Sequence, residues 1–378
     1  MSDFPRRSVV LCAPGFPSSR DDSDKPFLLN HALALVSAGF DVTVVCPSAP
    51  GLPNRQTVEG IEVVRTRYAP RRFETLAATG SMYREARGFR SVLVVPMIAA
   101  LVVAAIRESR KNNVVALHGH WWVPGGLVAV LASFFTRTQS VVHLHGSDSV
   151  VATNFFMRWL ARRVIRSATH CLAVSEELAD WGRELSSRNV LICPMPISDL
   201  FTKSDVPPPS DGPVLAVGRL VHEKGFDVLV EAVGQIDENE RREIVIVGEG
   251  PEREPLAVQA ESYGLTLNMP GALSPDEVRD WYQKASFVVV PSRREGFGLV
   301  AAEAAMSGRA VIGSRVGGIP DVIRHGVSGL IVEPDDIDGL IHAIQTIDIS
   351  WGLVAPKNVV HLEAGGHSSF LTTIYGIN

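Results

Sequence analysis

The sequence predicts an α/β protein with two doubly wound lobes, each built on a parallel sheet with helices on both faces. Short apolar runs typical of strands alternate with longer helical patterns along the chain, and this alternation indicates such sheets. The 378 residues exceed one ordinary domain of roughly 100 to 150 residues. The alternation stops once, over residues 196–212, where Pro, Ser and Asp are frequent and no period is visible.

These observations divide the chain into four parts. A first lobe is expected over residues 1–195, a linker over 196–212 and a second lobe over 213–347. The remaining tail, 348–378, is short and contains the glycine-rich run LEAGGHSSF. Whether this tail crosses back to the first lobe therefore stays open at this point.

The strands are predicted from runs of β-branched and aliphatic residues. Helical patterns occupy 27–37, 127–135, 155–166 and 227–233. In doubly wound sheets ligands bind beyond the carboxyl ends of the strands, so functional residues are expected directly after the strand runs. These runs are SVVLC, DVTVVC, IEVV, VVALH, SVVHLH, THCLAV and VLIC in the first lobe, and PVLAVG, EIVIVG, FVVVP, AVIG and GLIV in the second.

Composition indicates a globular enzyme of a reducing compartment. Hydrophobic residues make up 46% and charged residues 20% of the chain, which excludes disordered and fibrous classes. The four cysteines close apolar runs and none forms a C-x-x-C pair, so we expect buried thiols, without disulfides or a cysteine metal site. The apolar run near the N-terminus is too short for a signal peptide, and a cytoplasmic protein is expected.

Residues 92–106, VLVVPMIAALVVAAI, form the most apolar stretch. A membrane-spanning helix needs about 20 such residues. Because this stretch is shorter and contains Pro96, a buried helix is expected instead.

The two halves of the chain carry opposite charge. Residues 1–195 contain 22 Lys and Arg against 15 Asp and Glu, a balance of +7, whereas the remainder has 14 against 26, or −12. Seven arginines between Arg65 and Arg90 face only Glu74 and Glu85. They either solvate a loop and a helix, or form a surface that meets an anionic membrane or acceptor. A cytoplasmic protein at the inner membrane face is the second expectation.

The first motif with chemical content is VGRLVHEKGFDVLVEA. A strand ends at Gly218, Arg219 follows, and Lys224 and Gly225 precede a predicted helix. A diphosphate needs cations, backbone amides and close approach of the chain, and this strand, loop and helix supply all three. Taken alone, Arg and Lys after a strand are more often solvated.

The second motif is SRREGFGLVAAEAAMSGRAVIGSRVGGIPDVI. Glu295 lies in the loop after a strand, and Glu303 lies one turn inside the following helix. Their carboxylates can accept hydrogen bonds from neighbouring sugar or ribose hydroxyls. The free amides of Phe297 to Val300 at the helix start suit a phosphate. The alternative is that Glu295 is a solvated loop residue and that Glu303 only interacts with the dipole of its helix.

From GRLVHEKG through VGEGP to HGVSGLIVEPDD, the second lobe resembles the nucleotide-binding lobe of glycosyltransferase family 4, also called glycosyl transferases group 1. The resemblance implies a retaining enzyme with the GT-B fold, in which two Rossmann-like lobes face a central cleft. It also implies that Arg219 and Lys224 bind the donor diphosphate, Glu295 the donor sugar and Glu303 the ribose. Donor contacts are further implied for Gly218, Gly296, Phe297, Gly298, Leu299 and Val300.

The first lobe carries a weaker resemblance to the same family. In VVHLHGSDSV, His145 follows a strand and precedes a glycine, so the family's donor-facing histidine maps onto it. An imidazole there can donate a hydrogen bond to a sugar hydroxyl or phosphate. His118 and His120 also match and are expected to line the cleft. Only Gly15 stands where many relatives have a Gly-Gly pair, and the donor contact that the resemblance implies falls on this one glycine.

Other motifs do not fit their context. The D-x-D matches at 22–24 and 336–338 do not directly follow a strand, so no metal and no cofactor is expected besides the nucleotide-sugar substrate. Arg253 stands where a third glycine of G-x-G-x-x-G belongs, which disfavours a nicotinamide site. No aromatic and basic pattern indicates nucleic acid.

The sequence is therefore interpreted as a retaining hexosyltransferase type of enzyme. It is expected to move a sugar from a UDP- or GDP-type donor to a hydroxyl of a glycan, glycolipid or small molecule, in cell-surface polysaccharide or glycolipid synthesis. His145, Glu295, Arg219 and Lys224 are the expected catalytic residues. The alternatives are a nucleotide-sugar epimerase of similar architecture and a non-catalytic sugar-nucleotide-binding protein.

Overall fold

The computed structural model describes residues 6–20, 22, 25–76, 88–111, 113–152, 154–204 and 206–376. The chain forms two compact units. The first unit combines Met1–Pro196 with Ala364–Asn378, and the second consists of Ile197–Glu363.

The first unit is built on an eight-stranded sheet in the order β3-β4-β2-β1-β5-β6-β7-β8, parallel except for β3 against β4. Its strands are β1 Ser8–Cys12, β2 Asp41–Pro47, β3 Arg55–Val58, β4 Ile61–Thr66, β5 Val114–His120, β6 Gln139–Leu144, β7 His170–Ala173 and β8 Leu191–Ile192. Its main helices are Pro26–Ser37, Val94–Ser109, Leu127–Thr136, Phe155–Ser167, Glu176–Ser186 and Ala364–Ile374.

Both faces of this sheet are covered, which explains why its strands read as continuous apolar runs. Val9 and Leu11 of β1 pack into one core, and Val10 between them packs into another core with Leu101 and Leu117. Alternate residues of a strand point to opposite faces. Each such side chain, when fully buried, stabilises the fold by about 1.5 to 3 kcal/mol.

The second unit is built on a six-stranded parallel sheet in the order β11-β10-β9-β12-β13-β14. Its strands are β9 Val214–Val217, β10 Ile244–Val247, β11 Leu267–Gly271, β12 Phe287–Val290, β13 Ala310–Ser314 and β14 Gly329–Val332. Its helices are Phe226–Gln235, Arg253–Ser262, Pro275–Lys284, Leu299–Met306, Ile319–Val322, Ile337–Thr346 and Pro356–Val359.

Each sheet reverses its strand order once. In the first unit the chain moves from β1 outward to β2 and β4, then returns to β5 on the other side of β1. In the second unit β10 and β11 lie on one side of β9, and β12, β13 and β14 lie on the other. Such a reversal opens a crevice at the carboxyl ends of the two adjacent strands. The loops after β9 and β12 therefore define the expected binding region of the second unit.

The end of the chain belongs to both units. Residues 348–363 stay with the second unit, and the helix Ala364–Ile374 returns to the first. There Leu371 and Ile374 join the core, and the amide of Gln139 donates to the carbonyl oxygen of Tyr375 at 3.0 Å. The open question about the tail is thus answered by the packing of its last helix.

The segment expected as a linker is packed on the second unit. The Phe201 ring meets the Tyr282 ring edge-on at 5.6 Å between centroids. The Ser286 hydroxyl donates to the carbonyl oxygens of Pro209 at 2.7 Å and Gly212 at 2.8 Å. Residues 197–212 therefore form part of the second unit, not a free spacer.

One stretch of the described residues, Arg90–Ser109, is long and apolar enough to cross a membrane, with a mean hydropathy of 2.0 and 28% of its window buried. Met97 and Leu101 are buried in the core of the first unit, whereas Val92 and Val95 are 72% and 74% exposed. The expected burial of this helix is therefore true of one face only.

Candidate functional site

The loop after β9 places two cations at the strand-order reversal of the second unit. Lys224 ends the short turn His222–Lys224, and Gly225 then begins the helix Phe226–Gln235. Gly225 has φ +65°, and a Cβ there would collide with the carbonyl oxygen of Pro291. Glycine thus lets the loop after β9 lie directly against the loop after β12.

Lys224 and Glu295 form an ion pair across these two loops. The distance between Lys224 Nζ and Glu295 Oε2 is 2.6 Å. The same carboxylate oxygen accepts from the Ser292 hydroxyl at 3.3 Å, and Glu295 Oε1 accepts from the Gly296 amide at 3.3 Å. Both charged side chains are largely buried, with 19% and 17% exposed. The pair thus joins Lys224, for which the family resemblance implies contact with the diphosphate, to Glu295, for which it implies contact with the sugar.

Arg219 is the second cation of the β9 loop. Its side chain is exposed, and within the described part of the chain its guanidinium has no hydrogen-bond or ion-pair partner. An exposed guanidinium without an internal carboxylate is free to take a bidentate phosphate contact.

Arg293, which no sequence motif indicated as functional, fixes the loop that carries Glu295. Its guanidinium donates to both carboxylate oxygens of Asp227, at 2.7 and 2.6 Å, and to Asp335 at 2.6 Å. Although burial alone would raise the pKa of Asp227, the hydrogen bonds and charge of Arg293 lower it. Arg293 also donates to the carbonyl oxygen of His222 at 2.8 Å. It therefore ties the β12 loop to the start of the Phe226–Gln235 helix.

The helix Leu299–Met306 follows the same loop. Gly298 precedes it with φ +91°, a left-handed conformation that favours glycine. The first amides of a helix have no intrahelical acceptor and carry partial positive charge. The amides of Leu299 and Val300 are placed at this start, whereas the Phe297 side chain is buried at 6% exposure.

Glu303 lies inside this helix beside a buried phenol. The Tyr282 hydroxyl donates to Glu303 Oε2 at 3.3 Å, and Tyr282 is fully buried. Burial raises the pKa of Glu303 to about 8, against a lowering effect of the Tyr282 hydrogen bond. Because ionisation of this carboxyl is costly, Glu303 can keep a proton near neutral pH, and a protonated carboxyl can donate a hydrogen bond to a ligand as well as accept one.

In the first unit, His145 follows β6 and is held by Asp148. The Asp148 carboxylate accepts from the backbone amides of His145 and Trp122, the latter at 2.6 Å. The imidazole lies 4.4 Å from Trp121 between ring centroids, and its Nε2 is 3.1 Å from His120 Nδ1. Burial and then the charge of His143 lower the pKa of His145 well below its usual value.

The other first-lobe residues have different surroundings from those expected. His118 and His120 are fully buried, so the expectation that they line the cleft is wrong. Gly15 lies in the loop after β1. His118 and His120 instead belong to a buried histidine cluster that the sequence alone did not indicate.

Comparison with known families covers most of the chain. A family described as "Glycosyl transferases group 1" matches residues 201–348. A second, the "Glycosyl transferase 4-like domain", matches residues 26–197. The two matches meet near the boundary between the two units.

Curated relatives include glycosyltransferases of archaea and bacteria. An uncharacterised glycosyltransferase of Methanocaldococcus jannaschii is 30% identical over 59% of this chain, and the match spans 62% of its own length. For a second one from the same organism the match spans only 36% of that protein. A putative teichuronic acid biosynthesis glycosyltransferase, TuaC of Bacillus subtilis, is 27% identical over 87% of this chain and 86% of its own.

Solved structures share the whole fold at low sequence identity. Sucrose-phosphate synthase from Thermosynechococcus elongatus superposes with a TM-score of 0.78 at 20% identity, covering 98% of both chains. HepE of Anabaena in complex with UDP gives a TM-score of 0.71 at 17% identity, covering 98% of this chain and 99% of its own. The predicted α/β fold with two parallel-sheet lobes is thereby confirmed as the GT-B fold. With both lobes matched, the chain belongs to the group 1 glycosyltransferases.

Proposed function

We propose that this protein transfers a hexose from a UDP- or GDP-type sugar to a hydroxyl of a glycan or glycolipid with retention at the anomeric carbon. The process would be the synthesis of a cell-surface polysaccharide or glycolipid. The similarity to TuaC and to HepE, whose structure contains UDP, supports this class of reaction. The donor would bind to the second lobe.

The observation that carries the proposal is the Lys224–Glu295 pair at the strand-order reversal. A nucleoside diphosphate sugar presents an anionic diphosphate next to a neutral, hydroxyl-rich ring. A cation and a carboxylate 2.6 Å apart match the junction between these two parts. Arg219 and the helix amides at Gly298, Leu299 and Val300 would bind the diphosphate, and Glu303 the ribose.

Retention is proposed to proceed on one face of the sugar. The bond from the anomeric carbon to the diphosphate oxygen breaks as the acceptor oxygen attacks from the same side. The acceptor proton passes to the leaving phosphate oxygen. Lys224, Arg219 and the helix amides would stabilise the charge that develops on the diphosphate, and Glu295 and His145 would orient the sugar.

No metal ion is needed for this charge balance, because two cations and the helix amides meet the diphosphate. We therefore expect UDP or GDP to bind with the same affinity in the presence of a chelator of divalent ions. Loss of binding in chelator, restored by magnesium or manganese, would contradict this arrangement.

Separate assays of donor binding, donor turnover and transfer test the function. We expect one nucleotide from a panel of UDP, GDP and ADP to raise the melting temperature, and its sugar to be transferred to an acceptor. Turnover of the donor to another sugar nucleotide without acceptor would indicate an epimerase. Binding without any turnover, with a range of acceptors, would indicate a non-catalytic protein.

A membrane-bound acceptor is a further part of the proposal. The helix Phe155–Ser167, sequence FFMRWLARRVIRS, contains no acidic residue. Phe155 is 87% and Phe156 63% exposed, and Trp159 is 46% exposed. Exposed arginines lie on the same helix, and Arg163 lies over the Trp159 ring at 5.5 Å. Aromatic and cationic side chains together favour an anionic lipid surface.

This helix is a second candidate surface beside the arginine segment expected from the sequence, of which Arg67, Arg71 and Arg72 are exposed. Arg65 of that segment is buried at 3% exposure and donates to the carbonyl oxygens of Phe16 and Pro17. Arg84 and Arg87 lie outside the described residues. The arginines of the Phe155–Ser167 helix are Arg158, Arg162, Arg163 and Arg166.

Sedimentation with vesicles tests the surface. The protein should pellet with phosphatidylglycerol vesicles, not with phosphatidylcholine vesicles, and high salt should release it. Combined change of Arg158, Arg162 and Arg163 to Gln should abolish pelleting, since each arginine contributes about 1 kcal/mol near such a surface. The matched control changes Arg253, Arg279 and Arg315 to Gln, which removes equal charge from ion-paired sites. No pelleting of the unmodified protein at low salt would exclude this surface.

A further inference from the structure

Six of the eleven histidines of the chain lie in one buried cluster of the first unit. They come from four separate elements and the loop after β6, and their side chains are at most 5% exposed. Burial lowers the pKa of every one of these rings, so all six are neutral near pH 7. The cluster consists of His31, His118, His120, His143, His145 and His367.

One branch of the cluster has a fixed arrangement of protons. His143 Nε2 is 2.7 Å from the carbonyl oxygen of Cys193, which only accepts, so His143 donates there. In a neutral ring the other nitrogen must then accept, and His143 Nδ1 accepts from His118 Nε2 at 3.2 Å. His118 Nδ1 consequently accepts from the Tyr375 hydroxyl at 2.7 Å. Every nitrogen of this branch has a partner.

The second branch ends without a partner. His367 hydrogen-bonds the backbone of Pro194, and because a proline offers only its carbonyl oxygen, His367 donates. Its Nε2 lies 2.8 Å from His31 Nδ1 and must accept, so His31 donates through Nδ1. The lone pair of His31 then resides on Nε2, a buried atom with no hydrogen-bond partner.

His120 presents a second buried nitrogen of this kind. Its Nδ1 is engaged with His145 Nε2, and its Nε2 has no partner. The His31 and His120 rings meet edge to face at 4.8 Å between centroids. An unpaired buried polar atom costs about 1 to 3 kcal/mol, and two of them in adjacent rings call for a common ligand.

We propose that His31, His118 and His120 bind one transition-metal ion of the imidazole-preferring class, Zn²⁺ or Cu⁺, inside the first lobe. One ligand atom from each of the three residues lies within 4.8 Å of the others. Zinc–nitrogen bonds of about 2.0 to 2.1 Å place tetrahedral ligand atoms about 3.4 Å apart. Small side-chain rotations therefore close the site.

The two orphan nitrogens are the primary ligands, and His118 is the third. To ligate, His118 gives up one of its two hydrogen bonds, and the Tyr375 hydroxyl is the partner that can rotate away most easily. All three ligands are uncharged, so the ion brings its full charge into the core. This favours a monovalent ion, or a divalent ion that keeps a hydroxide in its fourth position.

The bound ion would also fix the proton of the neighbouring His145. If His120 ligates through Nε2, its proton resides on Nδ1 and is donated to His145 Nε2. His145 must then carry its own proton on Nδ1. This inference is independent of the proposed transfer reaction, since it concerns metal binding by the first lobe alone.

Metal content of the full chain tests the site. The protein is refolded from denaturant with Zn²⁺ or Cu⁺, freed of loose metal and measured by mass spectrometry. We expect about one ion per chain, and an at least tenfold loss of affinity in both His31→Gln and His120→Gln. Wild-type content below about a tenth of an ion per chain with either metal would overturn the proposal.

Controls separate this site from others. His342→Gln with His361→Gln removes two exposed histidines and should leave metal content unchanged. His120 also belongs to a second group with His143 and His145. Loss of metal in His145→Gln but not in His31→Gln would overturn the assignment to the first group.

Should the cluster variants fail to fold, imidazole nitrogen spectra of the wild-type protein with and without metal serve instead. A shift of the His31 and His120 Nε2 signals on metal addition is expected, and unchanged signals would refute the site.

Discussion

The ammonium group of Lys224 lies 2.6 Å from a carboxylate oxygen of Glu295, although 71 residues separate the two in sequence. The pair joins the loops after β9 and β12, which meet where the second sheet reverses its strand order. Before the donor binds, each charge compensates the other in a largely buried place. A diphosphate that attracts Lys224 would release the Glu295 oxygens toward hydroxyl groups of the sugar.

Removal of either cation should weaken nucleoside diphosphate binding. We expect Lys224→Ala and Arg219→Ala to cost about 1.5 to 3 kcal/mol each, or roughly 10- to 150-fold in Kd, because each removes a charge-assisted phosphate contact. Binding of the uncharged nucleoside should change little. Calorimetry with both ligands measures the difference, and equal losses for the two ligands would refute the assignment.

Part of the Lys224→Ala loss should come from Glu295, whose carboxylate loses its ion-pair partner. The double variant Lys224→Ala with Glu295→Gln should therefore bind nucleoside diphosphate better than Lys224→Ala alone. Additive losses would show that the ion pair has no influence on the phosphate site.

The two glutamates should respond differently to the same substitution. Glu303→Gln is expected to weaken nucleoside and nucleotide alike, because both ligands contain the ribose. Glu295→Gln should leave both affinities nearly unchanged and slow sugar transfer. If titration and transfer assays gave the two variants the same profile, the division between ribose and sugar contacts would be wrong.

The raised pKa of Glu303, about 8, gives stability a pH dependence. The folded protein retains this proton at a pH where the unfolded chain, with an ordinary Glu pKa near 4.3, has lost it. The contribution of Glu303 to stability should therefore fall as pH rises from about 4.3 to 8, by at most about 1.4 kcal/mol per pH unit.

Denaturant unfolding at several pH values measures this effect. Asp148, whose pKa burial raises to about 8, acts in the same direction, whereas the buried histidines, whose pKa burial lowers, act in the opposite direction below about pH 6.5, so the slope of the wild-type protein contains all these groups. The stability of the wild-type protein relative to the Glu303→Gln variant should therefore fall as pH rises through this range, because the other groups contribute equally to both proteins. Identical slopes in both proteins would show that folding does not raise the pKa of Glu303.

Arg293 and Arg294 are adjacent but should differ in importance. Arg293 bridges Asp227 and Asp335 at 2.6 Å each and is only 19% exposed, whereas Arg294 is 51% exposed with one contact to Glu223 at 3.3 Å. We expect Arg293→Gln to lower stability by about 2 kcal/mol, since charge-assisted hydrogen bonds to two carboxylates are lost but these carboxylates, 36% and 56% exposed, stay partly solvated. Arg294→Gln should cost less than about 1 kcal/mol. Chemical denaturation compares them, and equal costs would contradict the bridging role.

Gly225 and Gly264 offer a matched pair for the contact between the two loops. Both have φ +65°, but a Cβ at Gly225 would collide with Pro291 whereas one at Gly264 meets nothing within 4 Å. Gly264→Ala should cost only the left-handed strain of about 1 to 2 kcal/mol. Gly225→Ala should cost more and also weaken nucleotide binding, because the loops must separate. Similar melting temperatures and affinities for the two variants would argue against close packing at Pro291.

Most of the fold could be predicted from the sequence because central parallel strands are buried on both faces. Their continuous aliphatic runs, such as those of β9 and β12, are visible without any alignment. The strands that escaped prediction, Arg55–Val58 and Leu267–Gly271, lie at sheet edges. An edge strand can be polar, as RQTV is, or contain proline, as LNMPG does.

The site could be predicted in its parts but not in its pairings. Motif spacing placed Lys224 and Glu295 after two strands, and only the strand order shows that those strands are neighbours. His31 and His367 are 336 residues apart and carry no motif of their own. Contacts of this kind depend on packing between distant elements, for which single-sequence periodicity contains no signal.

The return of the helix Ala364–Ile374 to the first lobe has a consequence for biosynthesis. Domains of a growing chain usually fold in the order in which the ribosome makes them. Here the first lobe waits for the last helix to emerge, because Leu371 and Ile374 supply part of its core and Tyr375 donates to His118. A stalled or prematurely ended chain would therefore leave an incomplete first lobe with exposed apolar surface, a target for chaperones and proteases, even though every residue before 197 had been correctly made.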